Sequence, residues 1–219
     1  MGVQKYNLYK LLKSCSDEPV VKYIKKRREK IKCNPYFLSL VSNHFQKVLR
    51  HRKWVIHMFY FISGVLSQEE RNGLYERILH HDLSKFSAVE SIGYTIKFHR
   101  KNGVQNDREK KSWDLAFYHH CTHNDHHPEF FKMGDMNHCA LLESIIDMLA
   151  CRIEKDIEIN NVTVHSILDI PKKYLERYTI ADKKKVSKYL IEWGHVLVDG
   201  LYINYLRREL TDIDVKTRE

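Results

Sequence analysis

Turn-forming residues are scarce in this chain, and that constrains its fold more than any other feature. Its 219 residues include 8 glycines and 4 prolines. A sandwich or barrel of short strands needs frequent turns, and turns draw on glycine and proline for their backbone angles. A mainly helical protein is therefore expected. The hydrophobic pattern agrees. Asn34-Pro35 marks a break, because the residue before proline avoids the helical region. Beyond it Phe37, Leu38, Val41, Phe45, Val48 and Leu49 recur at spacings of three and four, the apolar face of a long amphipathic helix opened by Pro35. His44 lies on that face.

Further helices are predicted along the chain. Residues 4–32 read as one or two basic helices, with Lys25, Lys26, Arg27, Arg28, Lys30 and Lys32 crowded together. A helix over 69–79 ends at His80-His81-Asp82, and another follows over 87–99. Residues 100–107 form a polar loop, with Asp107 placed to cap a helix through Trp113, Leu115, Phe117 and Tyr118. A helix from about 137 to 159 carries Glu143 and Asp147. Pro171 opens another, and 181–210 gives one or two more. The domain reading is a basic extension over 1–34, a core over 35–160, and a helical extension over 161–219 packed on that core.

The formal net charge of +9 suits an anionic partner, either a nucleotide or another small anion, with nucleic acid as a second option for the basic N-terminal segment. Five cysteines without a CxxC pair argue against a disulfide framework and for a reducing compartment. The start of the chain is polar and lysine-bearing, unlike a secretory signal. The longest apolar run, 54–66, is too short to span a bilayer. The expectation is a cytoplasmic protein of a bacterial or virus-infected cell, without a membrane partner. In that setting the sequon Asn161-Val162-Thr163 has no glycosylation role.

Histidine is the unusual component. Nine of the 14 histidines fall at His80, His81 and His99 and within 119–138. Imidazoles and carboxylates are the ligands of hard and borderline metals. The candidates are His44, His81, Asp82, His119, His120, His126, His127 and Asp147. Adjacent His81 and Asp82 project about 100° apart on a helix, so one carboxylate between two sites is placed to bridge them. Glu143 and Asp147, four apart, share a helix face. The bland readings are a solvated polar turn for the 119–127 histidines and a helix cap for Asp82.

The order His, His-Asp, His, His, Asp resembles the HD-domain metallohydrolase superfamily. His44 precedes His81 by 37 residues, and 81–85 is similar to the HDxGK form with Ser84 in place of glycine. The chain more closely resembles a branch in bacteria, phages and large DNA viruses that carries HDLSKF, HHxxxNxHHPE and ExxxD. Those motifs stand here at 81–86, 119–129 and 143–147, within a resemblance covering roughly 40–155. It implies an all-α, HD-domain-like bundle holding one or two divalent ions (Zn, Fe, Mn, Ni or Mg). The implied ligands are His44, His81, Asp82 and Asp147, with one of His119/His120 and one of His126/His127. His120 and His127 are preferred as the second member of each pair. The implied activity is hydrolysis of a nucleotide, cyclic nucleotide or other phosphoester by metal-bound hydroxide. Lys85 would stabilise phosphate charge, His119 or His126 would protonate the leaving oxygen, and Glu143 would orient a ligand or water. Two rivals stand beside it: a mixed-valence di-iron oxygenase of HD type, and a non-enzymatic basic binding protein with a structural metal.

Overall fold

The computed structural model describes residues 2–12, 14–132, 134–158 and 170–198. One basic helix forms in the N-terminal segment, α1 (Glu18–Arg27), but it is flanked by strand β1 (Gln4–Asn7), a 3-10 turn (Leu8–Leu12) and strand β2 (Lys30–Cys33). The strands pair antiparallel, with Gln4 opposite Cys33 and Asn7 opposite Lys30. The overlooked signal was an alternation of period two. In Lys30-Ile31-Lys32-Cys33 the lysines face out while Ile31 and Cys33 are buried. Apart from this small sheet the described residues form an all-α protein.

The expected long helix is α2 (Pro35–Ile62), with Asn34 Oδ1 accepting from the Phe37 N–H at 2.8 Å. Helix α3 (Gln68–His80) starts at a capping box, in which Ser67 and Glu70 bond each other's backbone N–H. A 3-10 turn (Leu83–Phe86) leads into α4 (Ala88–Phe98), capped by Ser87. Helix α5 (Asp107–His123) is capped by Asn106 and not by Asp107, which lies inside its first turn. A 3-10 turn (Pro128–Phe131) precedes α6 (His138–Glu158), and α7 (Lys172–Leu175) and α8 (Ile180–Val198) follow. The sequon and the predicted helix beyond 198 lie outside the described residues. No helix among those residues is long and apolar enough to cross a membrane.

Two apolar clusters form the core. In one, the second half of α2 packs with α3 and α6 and is closed by Tyr178, Val186 and Trp193. In the other, Val41, Phe45 and Val48 of α2 meet Leu83 and Phe86, closed by Leu8, Leu12, Val20, Ile24, Ile31 and Cys33. Described residues on either side of the central helices, 8–33 and 178–193, thus complete a core. Between the clusters α2 carries His51 and Arg52, and the α3–α4 junction carries His81 and Asp82, all of them buried. The polar layer sits at the seam.

Helices α4 and α5 approach closely because Gly93 has no side chain. A Cβ there would stand 2.3 Å from the Ala116 Cβ and 2.6 Å from the Ser112 carbonyl oxygen. That crossing sets Glu90 of α4 against His119 and His120 of α5. Gly93→Ala is expected to destabilise the protein by about 1–3 kcal/mol through overpacking, measured as a lower denaturation midpoint.

Candidate metal centre

The centre begins with a turn that the backbone resists. Asp82 has φ 57° and ψ 17°, the left-handed region, which costs an L-residue roughly 1–2 kcal/mol and is reached more readily by Asp and Asn. Asp82 stands at the N-cap of the 3-10 turn, but its side chain makes no capping bond, so capping does not account for the carboxylate. Arg52 holds this turn in place. Its buried guanidinium donates to the carbonyl of His81 and, at 2.9 Å, to that of Leu79. Its Nε and Nη2 bond Asp17 at 2.9 and 3.1 Å.

Around Asp82 the imidazoles fall into two groups. Its Oδ2 faces His81 Nε2 at 3.5 Å and His51 Nε2 at 3.9 Å. Asp147 Oδ1 closes that side, 2.9 Å from His51 Nε2 and 3.7 Å from His81 Nε2. The Oδ1 of Asp82 faces His120 Nε2 at 3.4 Å and His126 Nε2 at 3.6 Å. His127 Nε2 lies 2.8 Å from His120 Nε2. Two of the convergent groups share Asp82, one with His51 and His81, the other with His120, His126 and His127; Asp147 further converges with His81 and His126, and with His51 and Cys151. His81 Nε2, Asp82 Oδ1 and His126 Nε2 are buried with no hydrogen-bond partner.

Carboxylates stand behind the rings. Glu143 Oε1 takes Nδ1 of His81 at 2.9 Å and lies 3.3 Å from Nδ1 of His126. Glu154 lies 3.3 Å from His51 Nδ1, and Glu90 lies 2.9 Å from His120 Nδ1. A carboxylate bonded to the far nitrogen is the usual partner of a metal-binding histidine, since it fixes the ring and raises its basicity. Arg77 steadies Glu143 Oε2 at 2.8 Å and also pairs with Asp125, next to His126. Ser84, the residue in the glycine position, accepts from Asn124 Nδ2 at 2.8 Å and lies 3.3 Å from His120 Nδ1.

Residues 40–190 match the model of a family of unknown function, DUF5662. The chain belongs to this family. The match spans every residue of the convergent groups. No curated protein and no solved structure matches the chain.

In this DUF5662 chain His81, Asp82, His120 and Asp147 come together as the motifs predict, and Glu143 holds ligand rings. At the 126/127 pair both rings reach the second group, with His126 the more buried. His44 does not join either group. Its Nε2 lies 3.4 Å from the Lys85 carbonyl, and its ring packs on Tyr94 and His99. His51 takes the expected place. The two are seven residues apart, two helical turns on the same face, so periodicity alone does not separate them. A matching interval was available in the sequence: Asp147 and Glu154, also seven apart on α6, both bond His51. His119 is also turned aside. Its Nδ1 meets the second oxygen of Glu90 at 2.6 Å and its ring stacks on His123, because neighbours on a helix project about 100° apart.

The electrostatics differ on the two sides of Asp82. Burial opposes charge on His81, but Asp82 and the bonded carboxylates of Asp147 and Glu143 push its pKa up to about 9. Burial also opposes charge on Asp82, yet Lys85, His81, His120 and His126 hold its carboxyl well below the usual range. On the other side burial, joined by Lys85, His126 and His81, keeps His120 neutral. Burial, followed by His99 and Lys85, lowers His44 to about 3. On the other side of Asp82, His120 and His127 are held as neutral nitrogen donors, chiefly by burial.

Two outcomes follow from this geometry. His51→Ala should lose bound metal while His44→Ala keeps it, as read by elemental analysis of proteins with unchanged circular dichroism. Arg52→Leu should cost about 3–5 kcal/mol in chemical denaturation, because it leaves Asp17 and two carbonyls without their cation.

Proposed function

We propose that this chain is a metal-dependent phosphohydrolase with an HD-type centre, acting on a nucleotide, cyclic nucleotide or other phosphoester. One observation carries the reading. The two oxygens of a single buried carboxylate, Asp82, face two separate groups of imidazole nitrogens, and atoms on both sides lack any hydrogen-bond partner. Buried polar atoms are rarely left unpaired. The unpaired ones here are an imidazole nitrogen on each side and a carboxylate oxygen, a donor set that suits divalent zinc, iron, manganese or nickel. His51, His81, Asp82 and Asp147 would hold one ion, and Asp82, His120 and His126 a second. Bound cations of this kind supply Lewis acidity toward phosphoryl oxygen and a more acidic water.

The chain's own residues have separable tasks in this reading. Glu143, Glu90 and Glu154 orient the rings and keep each Nε2 directed inward. Lys85 donates to Asp82 Oδ2 and keeps 19% of its side chain exposed. It is thus a cation at the edge of the site, placed to offset charge on a phosphoryl oxygen. Asp147 is likewise 19% exposed. Access for solvent favours a reactive site over a closed structural one. The net charge of +9 suits an anionic substrate.

The deciding experiment is metal content after purification without a metal-binding tag, beside Asp82→Asn. Asparagine keeps the shape and tolerates the left-handed backbone, so the variant is expected to fold. About two transition-metal ions per chain are expected in the parent, and fewer than half of them in the variant. Reloaded parent should hydrolyse a phosphodiester from a nucleotide panel, and Asp82→Asn should lose at least about a hundredfold in kcat/KM. Iron content with oxygen consumption would move the reading to the oxygenase. Absence of metal from both proteins, with no thermal stabilisation by added metal, would sink it.

A further inference from the structure

Five imidazoles meet at this centre, and four share one arrangement. His51, His81, His120 and His126 each turn Nδ1 toward a carboxylate, those of Glu154, Glu143, Glu90 and Glu143 in turn. A carboxylate accepts, so each Nδ1 carries a ring proton and each Nε2 faces the interior, that of His51 also donating to Asp147 at 2.9 Å. His127 departs from this pattern. Its Nδ1 lies 2.8 Å from Nη2 of Arg177. A guanidinium only donates, so this Nδ1 is the unprotonated nitrogen and the ring hydrogen sits on Nε2. That N–H points at the lone pair of His120 Nε2, 2.8 Å away.

Arg177 is itself firmly placed. Glu129 takes its Nε at 2.8 Å and its Nη2 at 2.7 Å, a two-point grip. The next residue, Tyr178, is buried and bonds Ser144 of α6. Thr179 donates to Asp135 at 2.7 Å. Arg177 lies outside the motifs at 81–86, 119–129 and 143–147, but inside the stretch that matches the family.

We propose that Arg177 is a positioning residue that sets His127 as the Nε2–H tautomer, making His127 a hydrogen-bond donor to an anionic ligand oxygen and not a metal ligand. The tautomer follows from Arg177 alone; the ligand class, a phosphate or phosphate-like oxyanion, rests on the functional reading above. A cation taken by His120 Nε2 claims the lone pair that now receives the His127 hydrogen, and the N–H is then free for an oxygen. A neutral ring that surrendered this proton would become an anion. His127 therefore transfers no proton and acts by stabilising charge.

The test is nuclear magnetic resonance of the histidine ring nitrogens in isotope-labelled full-length protein, metal-free and loaded with spin-active cadmium. Single His→Gln variants assign the rings. The metal-free spectrum should show a protonated Nε2 for His127 and a protonated Nδ1 for His51, His81, His120 and His126. With cadmium, coupling should reach Nε2 of those four and not His127. Arg177→Gln should mix the His127 tautomers at unchanged cadmium content, and weaken inorganic phosphate binding to the loaded protein about tenfold. Arg177→Lys, still a donor, should recover part of both effects. A protonated Nδ1 on His127 in the parent, or cadmium coupling to its Nε2, overturns the inference. Failure to bind cadmium overturns the metal reading instead, and the metal-free spectrum still decides the tautomer.

Discussion

A single buried guanidinium, that of Arg52, ties the polar seam together. It reaches from the middle of α2 to the carbonyls of Leu79 and His81 and to the carboxylate of Asp17. The carbonyls at a helix C-terminus carry partial negative charge and lack intrahelical partners. Arg52 meets both needs at the end of α3, just where the chain must enter a left-handed residue. A cation so deep needs a full set of partners, and Asp17, which also caps α1, brings the N-terminal segment into that set. The segment is therefore bound to the centre through charge as well as through its apolar cluster.

The second organising device is the pairing of each inward-facing imidazole with a carboxylate behind it. The pairs come from different helices: α2 with α6 at His51 and Glu154, α4 with α5 at Glu90 and His120, and the end of α3 with α6 at His81 and Glu143. Each pair fixes a ring and also ties two elements together. Moving any one of α2 to α6 along its axis would part at least one of them, so the centre and the packing specify one another.

Much of this centre was legible in the sequence, and the reasons for the rest are physical. His81-Asp82, the 119–127 block and the Glu143/Asp147 pair stand out because their residue types are rare in such density and their order is directional. Helical architecture followed from scarce glycine and proline and from the pattern of 37–49. His51 was hidden by helical repetition, since His44 offers the same residue type on the same face two turns earlier. Its neighbours Arg50, Arg52 and Lys53 give it the look of a solvated stretch, although Arg52 is buried. Glu90, Glu154 and Arg177 carry no local signature, because an acid or a base on an amphipathic helix is ordinarily surface. Only the crossing of elements brings them to the rings. The β1–β2 pair was missed because four-residue strands lie within reach of either periodicity.

Glu143 has a consequence of its own. One oxygen of this side chain lies against both His81 and His126, which serve opposite sides of Asp82. The two halves of the centre therefore share a hinge as well as a bridge. Under the two-ion reading proposed above, ordering of one ring through this carboxylate would bear on the other, and any coupling between the two halves would be reciprocal.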